Sequence, residues 1–295
     1  MKKKLAFIVL FGALMVNLQA IAPYLLVGNV SGTIETVEAS VVDVLKSSGF
    51  EILGSYNPGG NQDQLVIAYT SKELVSQCIN SGGRRILAAP LKVGLRKQGG
   101  NVEVSMLNPE YLFYAYMRDK MDDAGRESKM LAISSQAVAA MKKIGTDMTP
   151  FGGDLSKKEL KDYKYMVGMP KFDDPVLLKE FESFQKGLNT ITKNLEAGKG
   201  NTVKVYGITD PGNEIAIIGV GLLDPDKGEG HFLPIIGEEN IAAMPYEIVL
   251  NGNKATILHG RFRFASHWPE LTMGTFTKIM SSPGDVEEML KGLTE

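Results

Sequence analysis

Residues 86–95 read ILAAPLKVGL, and residues 241–250 read IAAMPYEIVL. In each stretch small residues precede a proline, and an apolar strand pattern follows it. The recurrence of this combination within a chain of 295 residues indicates an internal repeat.

Four pairs of landmarks recur in the same order along the chain. They are Val27-Gly28 and Val167-Gly168, Gly54 and Gly207, Ala88-Ala89-Pro90 and Ala243-Met244-Pro245, and Pro109-Glu110 and Pro269-Glu270. Their offsets are 140, 153, 155 and 160 residues, which drift slowly in one direction. Order and spacing together indicate a duplication.

Each copy is predicted to open with a strand, Tyr24–Val30 in the first and Tyr163–Met169 in the second. A helix follows each strand. In the first copy, apolar residues at positions 34, 37, 41 and 45 form one helical face that ends near Gly49. In the second, Asp174 is the expected N-cap, Pro175 takes the first helical position, and Gly198 is the stop.

Two strand pairs and closing helices complete each predicted copy. Turns at Asn57-Pro58-Gly59 and Asp210-Pro211-Gly212 join the first pair, because Pro fixes φ and Gly supplies a positive φ. The second copy's later hairpin turns at Asn251-Gly252. Helices are then predicted to start at Pro109-Glu110 and at Pro269-Glu270.

The runs LKSSGFEILGSY, LVIAYTSKELV and LAAPLKVGLRKQGGNVEVSMLNPEYL resemble the domain of unknown function 302 family. The resemblance covers residues 24–118 well and 163–280 more weakly. It implies an α+β fold with a curled antiparallel sheet packed on helices, and domains that pair as dimers. The family's histidine after the second strand is replaced here by Tyr56-Asn57 and Thr209-Asp210, so a role carried by that histidine is not expected.

The predicted architecture is therefore two α+β repeats of the β-α-β4-α type, related by a pseudo-twofold axis. The expected boundaries are a signal peptide at 1–22, a first repeat at 23–145, a linker at 146–162 and a second repeat at 163–295. A tandem of this kind makes the family's pairing internal, so the expected state is a monomer with an internal pseudo-dimer.

The first residues read as a secretory signal. MKKK is basic, LAFIVLFGALMVNL is apolar, and the small residues Ala20 and Ala22 follow. The sequence predicts export to the periplasm or the exterior, with membrane contact only through this segment. The alternative is an uncleaved anchor, since Leu5–Val27 is long enough to span a bilayer. Cys78 is the sole cysteine, which excludes an intramolecular disulfide.

Charge and composition bound the possible partners. Lys and Arg number 32 against 34 Asp and Glu, for a net charge of −2, and this balance argues against a nucleic-acid binder. No phosphate loop, HExxH, CxxC or G-x-S-x-G motif occurs, so no cofactor and no metal are predicted. His231 in DKGEGHFLP lacks ligand spacing to His259.

The two copies diverge most after the strand that opens with IAAMPYEIVL. The segment ATILHGRFRFASHW is predicted to continue as a strand that aligns His259, Arg261 and Arg263 on one face, with Phe262 and Phe264 on the other. His267, Trp268 and Glu270 follow at its end.

This cluster supports two functional hypotheses. In the first, an exported module binds a small anionic ligand or an envelope partner, with Arg261, Arg263 and Trp268 as ligand contacts. In the second, the protein is a hydrolase or lyase for an anionic substrate, and His259, His267 or Glu270 transfers the proton. The alternative is a solvated strand face that pairs with carboxylates such as Glu247.

Overall fold

The computed structural model describes residues 20–295 of the chain. Most of the predicted signal peptide, residues 1–19, lies outside the described residues. Ala20–Ile21 pairs with Leu155–Ser156, and the Ala22 carbonyl accepts from the Asn108 side chain at 2.9 Å. Within residues 20–295, no helix combines the length and apolar character that crossing a membrane requires.

Thirteen strands and ten helices make up the described part of the chain. The strands are β1 (Ala20–Ile21), β2 (Tyr24–Ser31), β3 (Glu51–Tyr56), β4 (Gln64–Thr70), β5 (Leu91–Gln98), β6 (Asn101–Leu107), β7 (Thr149–Phe151), β8 (Leu155–Ser156), β9 (Val176–Glu180), β10 (Thr202–Asp210), β11 (Ile215–Leu222), β12 (Tyr246–Asn251) and β13 (Lys254–Ile257). The helices are α1 (Ile34–Ser47), α2 (Lys72–Asn80), α3 (Pro109–Met117), α4 (Ala124–Met141), α5 (Lys157–Lys161), α6 (Phe184–Glu196), α7 (Glu229–Ile236), α8 (Gly260–His267), α9 (Met273–Phe276) and α10 (Ser282–Gly292).

Two antiparallel sheets have the same strand order over five equivalent strands. The first runs β3-β4-β5-β6-β2, with β7 as a sixth strand beside β2, and the second runs β10-β11-β12-β13-β9. Helices pack on both sheets, which confirms the predicted α+β class with repeated antiparallel sheets. β7 comes from the predicted linker and pairs with β2. The domain boundaries themselves stay predictions.

The first helix forms as its sequence pattern predicts. Thr33 and Thr36 form a capping box at its N-terminus, which satisfies otherwise unpaired backbone groups. The residues of its apolar face, Ile34, Val37, Val41 and Leu45, are all buried. Helix α1 contacts β3, β4 and β5, so this face packs on the first sheet.

The second copy opens differently from the prediction. Tyr163–Met169 is not a strand, and β9 (Val176–Glu180) takes that place in the sheet by pairing with β13. Helix α6 begins at Phe184, with Ser183 as its N-cap. The prediction was wrong because Leu177 and Phe181 continue the helical spacing of α6, although they lie before its cap. Asp174 instead accepts a hydrogen bond from the Lys171 backbone nitrogen at 3.0 Å.

The strand predicted through Phe264 is also wrong. β13 ends at Ile257, and residues 260–267 form α8. Alternation of Arg and Phe predicts a strand, but Phe262, Arg263 and Phe264 are three consecutive buried residues of a helix. Residues 269–272 are not helical, so Pro269 does not start a helix.

Helix α8 is the counterpart of α3, because each follows the last strand of its hairpin. Asn108 and His259 are their N-caps, and each side chain accepts from the backbone nitrogen two residues later. Measured from the starts of matching elements, such as 34 to 184, 91 to 246 and 72 to 229, the offsets lie between 150 and 157. The apparent drift came from the two outer landmarks, which are not structural equivalents.

The two halves pack through equivalent surfaces. The 3₁₀ turn Glu238–Ala243 lies against β5, and the matching turn Gly83–Ala88 lies against β12. Gly94 in β5 allows this approach, since a Cβ there would sit 2.7 Å from Ile241. The strands that follow Pro90 and Pro245 therefore meet near the centre of the molecule.

Candidate functional site

A buried ion pair joins the two halves. Lys92 on β5 donates to Glu247 on β12, and their side chains are only 4% and 6% exposed. Each residue lies two positions after the proline of its half. The Tyr206 hydroxyl also donates to Glu247, at 3.3 Å. Burial lowers the pKa of Lys92, and the adjacent carboxylate opposes that shift.

Arg263 is the second cation at this centre. Its side chain is 1% exposed, and its Nη2 donates to the carbonyls of Ala243 at 2.7 Å and Pro245 at 2.8 Å. Its Nε lies 3.7 Å from Glu247 Oε2, and its guanidinium carbon lies 3.6 Å from the centroid of the Tyr246 ring. Arg263 thus fixes the chain on both sides of Met244 and neutralises Glu247 together with Lys92.

His267 is enclosed beside this centre. It is 3% exposed, its Nε2 lies 2.9 Å from the Tyr116 hydroxyl, and its Nδ1 lies 3.3 Å from the Tyr24 hydroxyl. Burial holds its pKa well below 6.5, and the charges of Arg263 and Lys92 add to that effect. The imidazole is therefore neutral near pH 7, and it is almost fully enclosed.

Another buried carboxylate bridges the halves. Glu229, the first residue of α7, accepts from the Tyr56 hydroxyl at 2.9 Å and from the Gly59 backbone nitrogen at 3.0 Å. Burial raises its pKa to about 7. No local sequence pattern marked Glu229 or Lys92, because their importance depends on contacts with the other half.

Arg261 and Trp268 lie at a surface cavity of about 440 Å³. Its walls are mostly apolar and aromatic. Besides Arg261 and Trp268, the lining residues are Tyr163, Tyr165, Met166, Met169, Phe264, Ala265, Pro269, Leu271, Met273, Phe276, Thr277 and Met280. Met166, Met273 and Met280 are among the exposed large apolar residues. We call this feature the methionine cavity.

Arg261 and Arg263 do not form a clamp. They lie two positions apart on α8, which places them on opposite sides of a helix. Arg261 is exposed, whereas Arg263 is enclosed at the centre. Among residues 20–295, no carboxylate oxygen lies within 4.0 Å of a guanidinium nitrogen of Arg261.

The remaining predicted residues are separated from one another. His259 is half-buried at the start of α8, where its Nδ1 accepts from the Arg261 backbone nitrogen at 3.3 Å, and burial lowers its pKa. Glu270 is exposed and lines two other cavities, of about 610 and 670 Å³. The described residues contain no group of three His, Cys, Asp or Glu side chains arranged for a metal ion.

One wall of the methionine cavity comes from residues 163–169, which sequence reasoning assigned to a strand. An arginine cluster anchors the chain just after this wall. The guanidinium carbons of Arg84, Arg85 and Arg118 lie 5.2, 5.7 and 5.8 Å from the Phe172 ring centroid. Arg84 also donates to the Phe172 carbonyl at 2.5 Å. The first half thus holds in place a segment that builds the cavity of the second.

No protein-family model matches the chain, and no curated protein matches it. Among solved structures, one described as "uncharacterized conserved protein DUF302 from Bacillus stearothermophilus" is similar to this chain. The identity is 15%, the similarity covers 40% of this chain and 94% of that one, and the TM-score is 0.34.

Proposed function

We propose that the protein is a binding module for a small amphipathic acid, which it holds in the methionine cavity. The observation that supports this is the position of Arg261 and Trp268, two residues that the sequence marked as ligand contacts, at one apolar cavity of about 440 Å³. Ligand sites are concave and largely apolar, with few polar groups that set orientation.

The walls match an alkyl or aryl group. Flexible methionine side chains adapt to irregular apolar shapes, and four of them (Met166, Met169, Met273 and Met280) line the cavity. Tyr163, in the same segment as Met166 and Met169, is fixed because its hydroxyl donates to the Ala265 carbonyl at 2.8 Å. The lining therefore combines adaptable methionine side chains with a fixed aromatic ring.

Arg261 supplies the polar contact. It is the one cationic residue among those that line the cavity, and a guanidinium binds a carboxylate through two parallel hydrogen bonds. A ligand with one acidic head and an apolar body fits this arrangement.

Decanoate is a suitable probe, and decanol is its uncharged counterpart. Trp268 is the single tryptophan of the chain and lines the cavity, so its fluorescence reports occupancy directly. We expect decanoate to change the emission at saturating concentration. We expect Arg261→Ala to weaken decanoate binding at least about tenfold, since a hydrogen bond to a charged group contributes about 1.5–3 kcal/mol.

Lys278→Ala is the matched control, because Lys278 is an exposed cation that does not line the cavity. It should leave binding unchanged, and decanol should bind both Arg261→Ala and the unmodified protein equally. Absence of a decanoate response in the unmodified protein, or equal weakening by the two variants, contradicts the proposal.

We also propose export and a tandem of the domain of unknown function 302. The basic and apolar first residues support export, and the shared strand order of the two sheets supports the tandem. Mass spectrometry of the protein from cells tests the first point. A mature N-terminus near residue 21 or 23 is expected, and an intact Met1 in the soluble fraction contradicts it.

A further inference from the structure

Exposed apolar side chains concentrate around the methionine cavity. Among residues 20–295, six large apolar side chains are exposed, and four of them lie in the segments that build this cavity: Met166, Val167, Met273 and Met280. We call these four residues the exposed rim. Single apolar residues are common on protein surfaces, whereas a group of them at one place marks a site of interaction. The exposed rim is therefore a surface that a partner should cover.

Val167 lies at the tip of a turn. The Met169 backbone nitrogen donates to the Met166 carbonyl at 3.4 Å, which closes a turn with Val167 and Gly168 at its centre. Val167 is 96% exposed, and a Cβ added to Gly168 would meet no atom within 4 Å. Val167 does not line the cavity. Its side chain therefore projects into solvent, away from the core and from the proposed ligand site.

Four cations accompany the exposed rim. Lys164, Lys171 and Lys278 are exposed and lie two to four residues along the chain from a residue of the rim. Arg261 lines the cavity itself. Among residues 20–295, no carboxylate oxygen lies within 4.0 Å of the basic nitrogens of these four side chains. Their charges are therefore available to an anionic partner.

The segments that build the cavity contain no acidic residue. Residues 163–171, 260–269 and 271–284 lack Asp and Glu, although the chain has 34 of them. Glu270, which separates two of these segments, lines the two other cavities. The chain as a whole has a net charge of −2. This face is thus apolar and cationic on a slightly acidic protein.

We propose that the exposed rim docks the protein on an anionic lipid bilayer. Exposed apolar side chains enter the boundary between headgroups and acyl chains, while neighbouring cations attract the anionic headgroups. A second copy of the chain fits this face less well, because a symmetric contact would bring like charges together. Docking through the rim extends the expected membrane contact beyond the first residues of the chain.

Docking also identifies a source for the ligand of the methionine cavity. Three residues of the rim, Met166, Met273 and Met280, line the cavity, and an amphipathic acid partitions into a bilayer because its alkyl group leaves water. A docked protein therefore takes the acid from the membrane. This step rests on the proposed function, whereas docking itself requires no ligand.

Co-sedimentation with vesicles, with no fatty acid added, measures the docking. The probe is a vesicle of phosphatidylglycerol and phosphatidylcholine in equal parts. We expect binding that weakens as salt is raised and that is weaker on phosphatidylcholine alone. Val167→Asp should weaken it at least about tenfold, because burial of a valine side chain is lost. Gly100→Asp is the matched control, since Gly100 is exposed in the first half and an added Cβ there meets no atom within 4 Å.

A fluorescent label distinguishes insertion from adsorption to the surface. Val167→Cys and Gly100→Cys each supply one exposed thiol for a polarity-sensitive fluorophore, because Cys78 is buried. We expect the anionic vesicles to shift the emission of the label at position 167 to shorter wavelength, and to leave the emission at position 100 unchanged.

Each other result overturns the docking proposal. Absence of binding to the anionic vesicles does so, as does an unchanged emission from position 167. Equal weakening by Val167→Asp and Gly100→Asp would show a general effect of added negative charge. A dimer in solution that Val167→Asp dissociates would assign the rim to a second copy.

The docking surface and the ligand site are tested separately. Val167→Asp should keep the decanoate response of Trp268, because Val167 does not line the cavity. Vesicle binding without a decanoate response contradicts only the binding function, and a decanoate response without vesicle binding contradicts only the docking.

Discussion

β5 and β12 occupy the same place in the two sheets, yet their central side chains carry opposite charges. In the first sheet, Gly54, Ala68 and Lys92 form one row across neighbouring strands. In the second, the equivalent row is Tyr206, Gly219 and Glu247. The backbones repeat, while the side chains differ so that one row complements the other.

This difference matters because the two rows meet at the centre. Two identical halves would bury lysine against lysine or glutamate against glutamate there, and like charges in a region of low dielectric constant repel strongly. Lys92 paired with Glu247 removes that repulsion. A second pair of equivalent positions also carries different residues. Tyr116 in the first half and His267 in the second contact each other. The interface is thus symmetric in backbone and asymmetric in chemistry.

The largest expected effect comes from removing the carboxylate. Glu247→Met leaves Lys92 and Arg263 as two enclosed cations without a counter-ion, and should cost about 3–5 kcal/mol of unfolding free energy. Lys92→Met should cost less, since Glu247 keeps Arg263 at 3.7 Å and the Tyr206 hydroxyl at 3.3 Å. Urea unfolding measures both variants. Equal losses would show that the asymmetry around the pair has no energetic consequence.

A pH experiment compares the first residues of the equivalent helices α2 and α7. Lys72 is exposed, whereas Glu229 is buried with a pKa near 7. In the unfolded chain the Glu229 pKa is near its ordinary 4.5. Between these values the folded protein keeps a proton that the unfolded chain releases, so stability is full below pH 4.5 and falls as pH rises to about 7.

Glu229→Gln should remove this dependence, which corresponds to about 3 kcal/mol. Urea unfolding of both proteins measures this at pH 8 and at pH 4. Relative to the unmodified protein, the variant should be more stable at pH 8 than it is at pH 4. Lys72→Gln is the control and should show no such change. A stability difference that does not vary with pH would contradict the burial of an uncharged Glu229.

Exchange of the two central charges sharpens the comparison of β5 with β12. In Lys92→Glu combined with Glu247→Lys, the pair is restored, but the new lysine at position 247 faces Arg263. We expect a net loss of about 2 kcal/mol, less than for Glu247→Met, since one favourable contact replaces two. Recovery to the stability of the unmodified protein, measured by urea unfolding, would mean that the two positions are interchangeable.

Local patterns predicted most of the fold, and they failed where two patterns coincide. The face of α1 and the turns at Pro58 and Pro211 depend on neighbouring residues, so the sequence alone identifies them. Leu177 and Phe181 continue the apolar spacing of the helix that follows, which predicts a helix there, although Leu177 lies in β9 and Phe181 lies just after it. The site was predictable only in part: Arg261 and Trp268 do line a cavity, whereas the enclosure of Arg263 and His267 depends on contacts with the other half.

A packing variant tests the row itself. The Tyr206 ring lies over Gly219, where an added Cβ would sit 2.3 Å from a ring carbon, although the equivalent position in the first sheet holds Ala68. Gly219→Ala should therefore cost about 1–3 kcal/mol through overpacking, and it should displace the Tyr206 hydroxyl from Glu247. Combining Gly219→Ala with Tyr206→Gly recreates the pair Gly54 and Ala68 of the first sheet. The double variant should relieve the clash, but it should not restore the hydrogen bond to Glu247. A thermal midpoint for Gly219→Ala equal to that of the unmodified protein would show that the second row does not require a glycine. Complementarity between the rows would then depend on Lys92 and Glu247 alone.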